Sequence, residues 1–83
     1  DAFEVGATIE DLDIFDINHY QSITANPEIN SIYEKLKCGS GNHLRAFTYK
    51  LKQLDLDYKN TYLDDSIYKN IVNSEHQRCG CMK

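Results

Sequence analysis

The first 34 residues of this chain contain no Lys and no Arg; all nine basic residues lie from Lys35 onward, while eight of the thirteen acidic ones come before it. A chain with net charge −4 and no basic face over its first third is a poor match for a polyanion, so nucleic acid is excluded as the expected partner. The same asymmetry fits an acidic helix lying beside a basic one. No run approaches the roughly 20 apolar residues of a membrane span, and no signal-peptide pattern is present. Tryptophan is missing, and Pro27 is the single proline. The chain opens on Asp1 without an initiator Met, which reads as a processed or trimmed piece of something longer.

Three cysteines, Cys38, Cys79 and Cys81, are too few and too unevenly placed to be read as a disulfide framework. Cys79-Gly80-Cys81 could bind a soft metal, but at the end of a chain it reads first as part of a frayed tail. Ser/His/Asp turn chemistry is absent, and Gly39-Ser40-Gly41 lacks the Lys-Ser/Thr of a phosphate loop.

What is present is helical. From Phe3 to Tyr20, plotted at about 100° per residue, Phe3, Gly6, Ala7, Ile9, Ile14, Ile17 and Tyr20 share one broad face. Glu10 and Asp13 fall inside that face. Buried carboxylates need partners, because an unpaired buried charge costs several kcal/mol. Phe15 stands off the face and needs another neighbour. The first helix is expected over about 2–23. Asn26-Pro27-Glu28 is then a helix start, with Asn26 as N-cap and Pro27 at the first helical position. The connector is short, so the second helix, from Pro27 to about Leu54, folds back antiparallel on the first.

On the second helix Ile29, Ile32, Leu36, His43, Phe47 and Leu54 form a narrow stripe, with Ser40 on the same face. Gly39 and Gly41 interrupt it, either as a gap for a close approach or as a kink between two shorter helices. Residues 55–62 have no clear period and read as loop. Asp64 caps a short helix from Asp65 to about Asn73, and the segment 74–83 reads as a disordered tail.

Counting outward from the turn sets Glu10 and His43 on facing stripes within about 3 Å along the axis. Carboxylate and imidazole inside a helical bundle are the ligands that hold iron, manganese or zinc. They are equally a carboxylate–histidine hydrogen bond and nothing more. The candidate metal ligands are therefore Glu10, Asp13 and His43, with Asp13 as third ligand or as acceptor for the imidazole N–H. A hairpin also leaves part of each apolar stripe uncovered, which calls for self-association into a four-helix bundle or for a further helix pair.

EVGATIEDLDIFD at 4–16, NPEINSIYEKL at 26–36 and SGNHLRAF at 40–47 resemble the second half of a ferritin-like four-helix-bundle family of unknown function, over about Phe3 to Val72. The resemblance implies an all-α antiparallel hairpin plus a short C-terminal helix, half of such a bundle. It implies Glu10 as the Glu given by one helix and His43 as the His of the Glu-x-x-His given by the next. Ser40 stands where that second Glu belongs, which removes the usual bridging carboxylate; Asp13 compensates in part. The first helix pair, with its own ligands, is absent. The function implied is metal binding in a bundle core, with redox chemistry as its extension; the alternative is a metal-free helical interaction module.

Overall fold

A computed structural model describes residues 1–79 and shows three helices and no strand among them: α1 (Ala2–Ile23), α2 (Pro27–Gln53) and α3 (Asp65–Val72). Each start is fixed by a local cap. Asp1 accepts from the backbone N–H groups of Phe3 and Glu4, Asn26 from those of Glu28 and Ile29, and Asp64 from that of Ile67. Helix α2 runs unbroken through Gly39-Ser40-Gly41, so the glycines do not divide it.

Residues 24–26 turn the chain back on itself. Cross-helix partners then recede from the turn in antiparallel step: Gln21 meets Asn30 and Glu34, Asn18 meets Lys37, Glu10 meets His43, and the Phe47 ring lies against Gly6. A Cβ on Gly6 would come within 2.8 Å of that ring, so the missing side chain is what lets the helices close at this end. Among the described residues the acidic and basic helices are nevertheless not joined by an ion pair of Lys or Arg with a carboxylate. Lys37 reaches α1 but ends on the side-chain amides of Asn18 and Gln21, at 3.1 and 2.7 Å.

The core lies on one side of the hairpin. Ala7 and Ile14 of α1 and Leu44 and Leu51 of α2 are buried together with Leu63, which arrives from the segment after α2. Phe3, Phe47, Tyr58, Tyr68, Ile71 and Val72 pack around them. Phe15 finds its neighbour in the same segment, with its ring centroid 6.2 Å from that of Tyr62.

The segment 54–63 is a loop, as expected, but it is held by a carboxylate that the helical wheel did not single out. Asp11 is fully buried. Its Oδ2 accepts from the Tyr58 hydroxyl and from the Thr61 N–H, each at 2.6 Å, and its Oδ1 accepts from the Leu63 N–H at 2.8 Å. The Tyr62 N–H points between the two oxygens, at 3.3 and 3.4 Å. Burial, and next the hydrogen bond to Asp11, push the Tyr58 phenol above its ordinary value, so it stays a donor. Asp13, expected on the inner face, is exposed. The inner face keeps Ala7 and Ile14 as expected but is rotated away from Ile9, Asp13 and Tyr20, because the loop covers the flank of α1 that carries Ala7, Asp11 and Ile14.

The C-terminal segment also departs from expectation. Cys38 and Cys79 form a disulfide across 41 residues of sequence, tying the chain beyond α3 to the middle of α2. Asn42 exchanges two hydrogen bonds with the backbone of Gln77, both at 2.9 Å. Residues 74–79 are thus docked on α2; the expectation for residues 80–83, and for Cys81, falls outside the described residues.

Two predictions follow from this architecture. Replacing Asp11 with Ala strands three loop N–H groups and a phenol, and is expected to cost about 3–5 kcal/mol in chemical denaturation. Loss should appear first as hydrogen exchange in residues 58–63, with α1 and α2 retained. Cys38→Ser is expected to cost up to about 4 kcal/mol by the chain-entropy relation for a loop of this length, read as a lower melting temperature than that of the oxidised parent.

Candidate functional site

Glu10 and His43 are brought together. The Glu10 Oε2 lies 3.5 Å from the His43 Nδ1, with the Glu10 side chain 15% exposed and the imidazole 66% exposed. The register of the hairpin sets this distance, since both residues sit the same way out from the Asn26 turn. The pair lies at the edge between the closed core and the opposite, open face.

That open face is apolar. Ile9 and Tyr20 of α1 are 52% and 47% exposed, and Ile32 and Leu36 of α2 are 57% and 41% exposed. The α2 stripe expected in the core is thus mostly open, with Ile29, Ile32, Leu36 and Leu54 exposed, and the buried positions of α2 are instead Gly41, Leu44 and Leu51, because α1 and the segment after α2 close over that other flank. Gly39 on this side has nothing within 4 Å of a notional Cβ, so it fronts open space. Ser40 lies one turn before His43 on α2 and is partly buried.

Asp13 does not join them. Among the described residues no three of His, Cys, Asp and Glu come close enough to hold one metal ion. The carboxylate oxygen of Glu10 and the imidazole nitrogen of His43 are two donors of the kind that iron, manganese or zinc accepts. Nor does any helix among the described residues have the length and apolarity to cross a membrane.

Residues 1–75 match a family described as an uncharacterized protein domain, DUF2202, and the chain belongs to that family. It is 42% identical over 78 residues to an uncharacterized protein, MJ0754, of Methanocaldococcus jannaschii, a match that takes in 94% of this chain and 42% of the relative. The crystal structure of that hypothetical protein superposes with a TM-score of 0.90 at 42% identity, over 93% of this chain and 44% of the other. The chain thus spans less than half the length of the relative it matches.

A carboxylate–imidazole contact with an imidazole this exposed contributes on the order of 0–1 kcal/mol. His43→Ala and Glu10→Gln are each expected to lower the stability of the isolated chain by less than about 1 kcal/mol. A loss comparable to that of Asp11→Ala would instead make the pair part of the fold's support.

Proposed function

We propose that this chain is one partial ferritin-like domain, the hairpin half of a four-helix bundle, and that Glu10 and His43 supply ligands to a divalent metal ion, iron, manganese or zinc. The observation that carries the reading is a carboxylate and an imidazole 3.5 Å apart beside an uncovered apolar face. Two donors are too few, so the coordination sphere is completed by the helices that cover that face. Asp13, on the same side of α1, is near enough in sequence to enter as a third ligand or to accept from the imidazole N–H once such helices are in place. A bound ion would act as a Lewis acid or, if iron or manganese, as a redox centre.

The cover is either a second copy of the hairpin or a further helix pair. Ile9, Ile32, Leu36 and Tyr20 are about half exposed, so leaving them wet forgoes roughly half of the ~1.5–3 kcal/mol that full burial of a large apolar side chain contributes. Two-fold pairing would present two Glu10, two Asp13 and two His43 toward one axis, enough oxygen and nitrogen donors for one or two ions. The matched relative extends over more than half its length beyond the shared region, room for a second hairpin. A second reading, a metal-free interaction module of the same fold, draws on Ser40 and on the lack of a three-ligand group among the described residues.

The deciding measurement is elemental analysis of the protein purified without chelator, together with its mass in solution. The metal reading expects stoichiometric iron, manganese or zinc, at least a tenfold loss of it in His43→Ala and in Glu10→Gln, and a bundle of four helices. A metal content near zero in a stable bundle, unchanged by either substitution, selects the metal-free module.

A further inference from the structure

On the side of α2 away from His43 lies a cleft of about 600 Å³, floored by Ile14 and Asn18 of α1 and walled by α2, α3 and the docked segment 74–79. Arg45 and Cys38 are each roughly half a turn around α2 from His43 at 100° per residue, so this cleft and the Glu10–His43 face are separate. Its volume is within the range of small-molecule pockets.

The charge lining the cleft opposes that of the chain. Four of the nine basic residues, Lys35, Lys37, Arg45 and Arg78, border it, against the single carboxylate of Glu34. Lys37 lies 3.5 Å from Glu34, which leaves three cations without a carboxylate within 4 Å among the described residues. Arg45 is the one of the three whose side chain is held by hydrogen bonds among the described residues. Its guanidinium lies over Gly41, donates to the Ile71 carbonyl at 2.9 Å, and donates to the Asn42 side-chain oxygen. Both acceptors are neutral. Burial draws this guanidinium below its ordinary value, and no anion offsets the shift. A partly exposed guanidinium whose acceptors are all neutral is free to take an anionic acceptor from solution. Beside these charges stand the aliphatic side chains of Ile67 and Ile71.

We infer that the cleft between α2, α3 and the segment 74–79 binds a small organic anion, a carboxylate or phosphate group on an apolar body. The anionic group sits among Arg45, Lys35 and Arg78, where the guanidinium edges not used on Ile71 and Asn42 donate to its oxygens. The apolar body rests on Ile67 and Ile71. The Cys38–Cys79 disulfide holds the wall that closes the cleft, so the pocket requires the oxidised protein.

The test is a titration of the oxidised, natural-length protein with benzoate, phenyl phosphate and benzyl alcohol, followed by amide chemical shifts. Saturable shifts confined to 34–45 and 67–79 with either anion, and at least tenfold weaker binding of benzyl alcohol, support the inference; the tighter anion identifies the headgroup. Lys35→Gln with Arg78→Gln removes two cations that make no hydrogen bond among the described residues, and is expected to weaken anion binding at least fivefold with the remaining spectrum unchanged. Arg45→Gln is expected to weaken it further, with loosening of α3 detected separately by hydrogen exchange. Equal binding of benzyl alcohol and benzoate, shifts that do not saturate, or full binding by the double variant would overturn it.

Discussion

Asp11 is a buried carboxylate with no cationic partner among the described residues, and the third side of this small domain depends on it. Its oxygens collect the backbone N–H groups of Thr61, Tyr62 and Leu63 and the hydroxyl of Tyr58. Several donors aimed at one anion can offset its desolvation where a single hydrogen bond could not. The result is directional. Leu63 is delivered into the core, Tyr58 lies beside Tyr68, and α3 begins where the loop leaves Asp11. Without that anchor the loop would keep unpaired N–H groups facing an apolar surface, and α3, with no fully buried residue of its own, would have little to hold it.

The disulfide acts at the other end of α3. The chain after α2 is tied down at both ends, by hydrogen bonds to Asp11 before α3 and by the Cys38–Cys79 disulfide with the Asn42–Gln77 hydrogen bonds after it. This closes one face of the hairpin and leaves the other as an exposed apolar strip bordered by Glu10 and His43. The two faces therefore have different chemistry. The closed side holds a cleft rich in cations, and the open side joins a carboxylate and an imidazole to surface that another helix pair would cover.

Much of the helical framework was legible because it is set locally. Asn26-Pro27, Asp64 and the 3.6-residue periodicity mark where helices start and where the chain reverses. The level of Glu10 opposite His43 was legible too, since an antiparallel hairpin with a short turn fixes its own register. Asp11 was not. Ala7, Asp11 and Ile14 are spaced at i, i+4 and i+7, a signal for a buried flank, but Asp at the middle of such a set reads as a solvated edge until its donors are known. The Cys38–Cys79 pairing carried no local signal either, because three cysteines admit several pairings and a free thiol in each.

The sequence by itself determined three helices, their caps, the hairpin and the meeting of Glu10 with His43, because capping, helical period and turn length act over a few residues. Only the tertiary structure decided which flank of α1 is inside, that Asp11 and not Asp13 is the buried carboxylate, that Cys38 pairs with Cys79, and that Arg45 borders a cleft. Those outcomes rest on groups tens of residues apart, such as Asp11 with Leu63 and Asn42 with Gln77. Burial of a polar side chain depends on whether its partners arrive, and that is a property of the assembled fold.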